Sequence, residues 1–114
     1  MTSTFTIPLR VVSEANAHTH WRVRQKRAKT QRAIVALVWA AQGHPRNRKP
    51  ANVILTRLAP RRLDSDNAVG AMKHVRDEIA LLCGFDDRDE SVRWQYAQER
   101  AKGYAVRCEI EWAP

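Results

Sequence analysis

Residues 51–67 read Ala51-Asn52-Val53-Ile54-Leu55-Thr56-Arg57-Leu58-Ala59-Pro60-Arg61-Arg62-Leu63-Asp64-Ser65-Asp66-Asn67. The first nine are rich in β-branched and apolar side chains, which fit a strand, and Pro60 has no amide to extend it. Ser65 or Asp66 supplies a helix start, and the helix predicted from there runs to Leu82 and closes at Gly84. Its apolar stripe is Val69, Met72, Val75, Ile79 and Leu82. This strand-loop-helix junction is also a charge boundary. Residues 15–63 hold twelve Lys and Arg and no Asp or Glu, whereas residues 64–114 hold seven basic and eleven acidic side chains.

Upstream of the junction, residues 5–12 predict a short strand, at an edge because of Pro8, and residues 13–19 a loop. A long helix is predicted over 20–42, with Ile34, Leu37, Val38 and Ala41 on its apolar face and Gly43 and Pro45 ending it. Residues 43–50 form a basic loop. Downstream, residues 91–99 and 104–112 alternate around Lys102-Gly103 and predict an antiparallel hairpin. The order β-α-β-α-β-β predicts an α+β two-layer sandwich, a small mixed sheet with two helices on one face. Residues 1–114 read as a single domain, small enough for a partner subunit to add stability. No internal repeat stands out.

A hydrophobic content of 44% supports a core, and the net charge of +8 with a pI near 10.3 points to a polyanionic partner. Cys83 and Cys108 form no C-x-x-C pair and read as buried apolar residues of a reducing compartment. The N-terminus lacks the pattern of a signal peptide, and no run reaches the ~20 apolar residues of a membrane span. A cytoplasmic protein is expected.

Asp64 and Asp66 flank a single residue, so in an extended segment both carboxylates point to one side and can share a cation. Magnesium commonly takes one or two protein carboxylates and fills its shell with water and phosphate oxygens. The competing reading is that Ser65 or Asp66 caps the helix. A second acidic knot, Asp86, Asp87, Asp89 and Glu90, follows the helix and reads equally as a solvated turn. An 18-residue helix spans ~27 Å. A site shared by the two knots therefore needs the chain to double back or a second subunit to contribute. An EF-hand is excluded, because Val69 and Val75 stand where the loop needs Gly and Glu. Lys73 and Asp77 are spaced for an i,i+4 ion pair; beside a metal, the lysine would instead face a phosphate.

The first helix opens with Arg22, Arg24, Lys26, Arg27, Lys29 and Arg32. Cations there oppose the macrodipole, so they gain nothing for the helix and suggest a surface for phosphates. Trp21 reads as a core or staple residue, or as a stacking platform. Arg46, Arg48, Lys49, Arg61 and Arg62 extend the basic footprint. His18 and His20 have no neighbours that complete a zinc set, and His44 and His74 have no special spacing.

Leu63-Asp64-Ser65-Asp66-Asn67, Lys73, Asp77, Gly84-Phe85, Asp89 and Val92 together resemble the RusA family of phage and prophage Holliday-junction resolvases. Arg61-Arg62 and residues 94–100 are similar to its phage members, so that the likeness covers roughly residues 60–100. The resemblance implies a homodimeric endonuclease that cuts four-way DNA junctions with Mg²⁺ or Mn²⁺. It also implies that Asp64, Asp66 and Asp89 bind the metal and Lys73 assists. Asp87 is the alternative third ligand. In the family the lysine follows the Asn more closely; here Ala68-Val69-Gly70-Ala71-Met72 intervene. The other function class open to such a chain is a non-catalytic basic nucleic-acid-binding protein.

Overall fold

The computed structural model describes residues 1–13, 20–86 and 88–114. Four strands, β1 (Thr2–Ile7), β2 (Pro50–Ala59), β3 (Arg93–Arg100) and β4 (Ala105–Trp112), form one sheet in the order β1-β4-β2-β3. Among the described residues there are three helices, α1 (Trp21–Ala41), α2 (Ser65–Ala71) and α3 (Lys73–Cys83). The protein is an α+β fold with a small mixed sheet: β4 is antiparallel to β1 and β2, while β3 runs parallel to β2.

Register explains which residues meet the helices. Phe5, Cys108, Leu55 and Tyr96 align across the sheet, as do Ser3, Ile110, Val53 and Trp94, and Ile7, Val106, Arg57 and Gln98. The apolar members of these rows on β1, β2 and β4 join Val35 and Trp39 of α1 and Val75, Ile79 and Leu82 of α3 in one core cluster, against which the half-buried Trp94 and Tyr96 of β3 pack. The alternate rows, such as Thr4, Glu109, Ile54 and Gln95, face the other side. Period-two alternation thus leaves one face of the sheet under the helices.

The predicted β3–β4 hairpin does not form. Both strands border β2 from opposite sides, and the intervening loop is tied over the end of β2 by Ala101 N–H donating to Ala59 O at 3.0 Å. Val106, Cys108, Ile110 and Trp112 of β4 are all buried, whereas β3, RWQYAQER, is half-exposed or exposed along its length. The more polar strand takes the edge and the apolar one the centre, an ordering that alternation alone does not encode. β1 occupies the opposite edge, as Pro8 indicated, and stops at Ile7 rather than Val12.

The predicted second helix is two pieces joined at Met72, whose amide bonds to Val69 O at 3.1 Å in a tighter turn. The break turns Ala68 and Ala71 inward and leaves Val69 42% exposed, against its expected place in the stripe. Gly84 closes α3 with φ +75°, a left-handed conformation that favours glycine, and a Cβ there would crowd Asn47, whose Cα would lie 3.3 Å away. α1 buries Gln31, Val35 and Trp39, with Ile34 and Val38 partly covered and Leu37 facing outward. Both cysteines are free and buried, and burial pushes the Cys83 thiol up to about 12. Among the described residues no helix is long and apolar enough to cross a membrane.

Candidate metal and nucleic-acid site

At the C-terminal end of β2 the chain turns through Pro60–Leu63 and enters α2. Asp64 occupies the N-cap position, but its side chain makes no cap hydrogen bond. Asp66 lies in the first turn, and both residues are exposed. Neither carboxylate has a hydrogen bond or ion pair with the described residues, so the capping role open to Asp66 in the sequence is not filled. Arg62, Leu63, Asp64, Ser65 and Asp66 line one shallow depression. Two unpartnered carboxylates on an open surface suit a divalent cation that keeps most of its water.

Two residues that sequence reasoning passed over hold this loop. Gln98 on β3 grips Leu63 at two points: its Oε1 accepts from Leu63 N–H at 2.9 Å, and its Nε2 donates to Leu63 O at 2.8 Å. Arg57 Nη1 donates to Arg61 O at 2.7 Å and to Gln98 Oε1 at 3.3 Å. Arg57 and Gln98 share the helix-facing row of Ile7 and Val106, a placement set by the strand pairing. Gln98→Glu loses the donor and sets a carboxylate against Leu63 O. It should destabilise the chain by about 1–3 kcal/mol in a urea titration. Gln98→Ala should be milder, and equal stability of Gln98→Glu and wild type would show that the clamp carries no energy.

The remaining predicted ligands lie elsewhere. β3 runs parallel to β2 from Asn52↔Arg93 to Ala59↔Arg100, so Asp89, which precedes β3, stands at the opposite end of the sheet from Asp64. Seven strand steps separate the ends by about 23 Å. Asp89 is bound by Lys49 Nζ at 2.6 Å and by Ser91 through N–H at 2.9 Å and Oγ at 2.7 Å. Among the described residues no group of three metal-ligating side chains comes together. Asp87, the alternative ligand, and His18 lie outside the described residues. Lys73 pairs with Asp77 at 2.9 Å and lines a separate depression with Arg32 and Asp86.

The Lys49 and Ser91 hydrogen bonds hold the Asp89 carboxyl down at about 2, against an ordinary value of 3.8. A depressed carboxylate contributes stability that is full above the ordinary value and is lost as pH falls through the lowered one. The stability difference between wild type and Asp89→Asn should therefore shrink as pH is lowered from 5 towards about 2. Guanidinium titrations across that range measure it, and a pH-independent difference would show that the ionised pair contributes nothing.

The basic residues predicted to contact DNA lie on α1 and in the loop after β2. Arg22, Arg24, Lys26 and Lys29 are exposed on the first half of α1, with Arg27 half-buried; the Arg22 guanidinium lies 5.4 Å from the ring of Trp21, itself 53% exposed. Trp21 is thus no core residue. His20 caps α1, its Nδ1 accepting from Arg22 N–H at 3.2 Å. Arg32, farther along α1, is paired with Glu78 at 2.9 Å. Arg61 and Arg62 are both exposed, and Arg62 lines the depression of the acidic pair. No protein-family model matches the chain, and no curated protein matches it.

Proposed function

We propose that this chain is a metal-dependent endodeoxyribonuclease of the RusA type that resolves four-way DNA junctions in the cytoplasm, working as a homodimer with Mg²⁺ or Mn²⁺. The observation that carries the reading is the pair of unpartnered carboxylates, Asp64 and Asp66, flanked by Arg61 and Arg62. Exposed carboxylates beside a phosphate-binding surface repel the backbone unless a cation lies between them. Asp64 and Asp66 would hold that cation, and when bound it supplies charge neutralisation at the phosphodiester and activation of a water for in-line attack.

Arg61 and Arg62 would hold the phosphates next to the cut, with Arg22, Arg24, Lys26, Arg27 and Lys29 gripping an arm of the junction. A two-fold dimer presents one acidic pair to each of two opposed strands. Asp89 can join such a site only across a subunit boundary, and Lys73 only by releasing Asp77. The Asp89–Lys49 pair favours a second reading, a non-catalytic nucleic-acid-binding protein, because the third carboxylate is already neutralised.

A synthetic four-way junction incubated with the wild-type chain and Mg²⁺, then resolved on a denaturing gel, separates the two. Paired nicks near the branch support the nuclease. Binding without scission in Mg²⁺ and Mn²⁺ supports the binding protein.

A further inference from the structure

Arg57 is 7% exposed, and no carboxylate pairs with it among the described residues. Its Nη1 is engaged by Arg61 O and Gln98 Oε1, while its Nε is buried without a hydrogen-bond partner. A buried cation lacking a counter-charge is costly, and proteins normally provide one. Here the surroundings add positive charge instead. Arg57 lines a cavity of about 340 Å³ with Arg61, Arg62, Arg100 and Glu99, and the Glu99 carboxylate is taken by Arg107 Nη2 at 2.6 Å. Burial lowers the Arg57 pKa; nearby Tyr104 opposes the shift and Arg10 adds to it.

We infer that this cavity is a phosphate site, with Arg57 as its buried anchor and Arg61, Arg62 and Arg100 as its rim. Guanidinium groups offer forked donors that match the several oxygens of a phosphate, and one anion would answer the charge that no side chain meets. Arg62 lines both this cavity and the Asp64–Asp66 depression, so a phosphate held here adjoins the acidic pair. That the ligand is a DNA phosphate rests on the nuclease reading; the anion site itself does not. Two DNA sources share the chemistry, an internal phosphodiester and a terminal 5′-phosphate.

The test is thermal unfolding of the full chain in EDTA with added pyrophosphate, against chloride at equal ionic strength. A ligand that binds only the native state raises the melting temperature saturably. Arg100→Ala, at an exposed position, should weaken pyrophosphate about tenfold, as expected for one charge-assisted contact. Arg57→Met should weaken it at least as much. Arg93→Ala, at the other end of β3, controls for net charge and should leave affinity unchanged. Because Arg57→Met also loosens the loop, Arg100→Ala decides if the former unfolds. Single strands with a 5′-phosphate or a 5′-hydroxyl, each competed with pyrophosphate, then separate the sources. Preference for the phosphorylated strand assigns a terminal phosphate; equal, competed affinity assigns an internal one. No saturable stabilisation, or stabilisation that Arg100→Ala leaves intact, overturns the inference. With metal chelated, this outcome is independent of whether the chain cleaves DNA.

Discussion

Asp66→Asn should lower junction cleavage ~100-fold or more while leaving junction affinity level or higher. The substitution keeps the shape of the side chain and removes its charge. Asp66 is exposed and its carboxylate makes no hydrogen bond with the described residues, so folding should change by only about 0.5 kcal/mol. Loss of a metal ligand removes the cation's contribution to the reaction, whereas loss of a negative charge beside Arg62 favours the DNA backbone. The two effects thus move cleavage and binding in different directions. A structural role for Asp66 would move stability instead. Single-turnover cleavage and gel-shift affinity on the same junction measure both, and an Asn variant that cuts as fast as wild type would remove Asp66 from the metal site.

The largest expected loss of stability follows Trp39→Ala. Trp39 is 1% exposed and stands edge-on to Phe5 at 5.8 Å, Trp112 at 6.0 Å and His44 at 5.2 Å. Its indole N–H donates to Pro45 O at 3.1 Å, joining α1 to the loop that leads into β2. Truncation opens a cavity beneath β1 and β4 and removes that bond. Truncating a buried tryptophan costs about 3–5 kcal/mol. Against a total of roughly 5–15 kcal/mol, this consumes a large share. Urea unfolding followed by circular dichroism measures the change; less than about 1 kcal/mol would mean that the site collapses around the gap.

The elements were legible because their stop signals are local. Gly43, Pro60 and Gly84 end segments through their own backbone chemistry, and each lies within two residues of an element's end, whereas Pro8, read only as an edge marker, in fact follows the last residue of β1. Strand order was not legible, because β3 and β4 alternate equally well whether paired with each other or with β2. What separates them is the apolar content of β4 against the polar content of β3, and that matters only once a central strand must be chosen. The burial phase of α2 was lost to the break at Met72, which rotates Val69 outward. At the site, Asp64 and Asp66 share one depression because only Ser65 separates them. Asp89 was expected with them by resemblance, and the parallel β3 carries it to the opposite end of the sheet. Arg57 and Gln98 were hidden because their roles depend on a parallel pairing 41 residues apart.

Asp64 and Asp66 would together hold a divalent cation, and paramagnetic broadening by Mn²⁺ measures that binding at the residues concerned. Mn²⁺ is titrated at substoichiometric levels into the ¹⁵N-labelled chain while amide line widths are followed. The amides of Leu63, Asp64, Ser65, Asp66 and Asn67 should broaden first, and Asp66→Asn should abolish the effect. Broadening centred on Asp86 and Asp89, or none at residues 63–67, would contradict that binding.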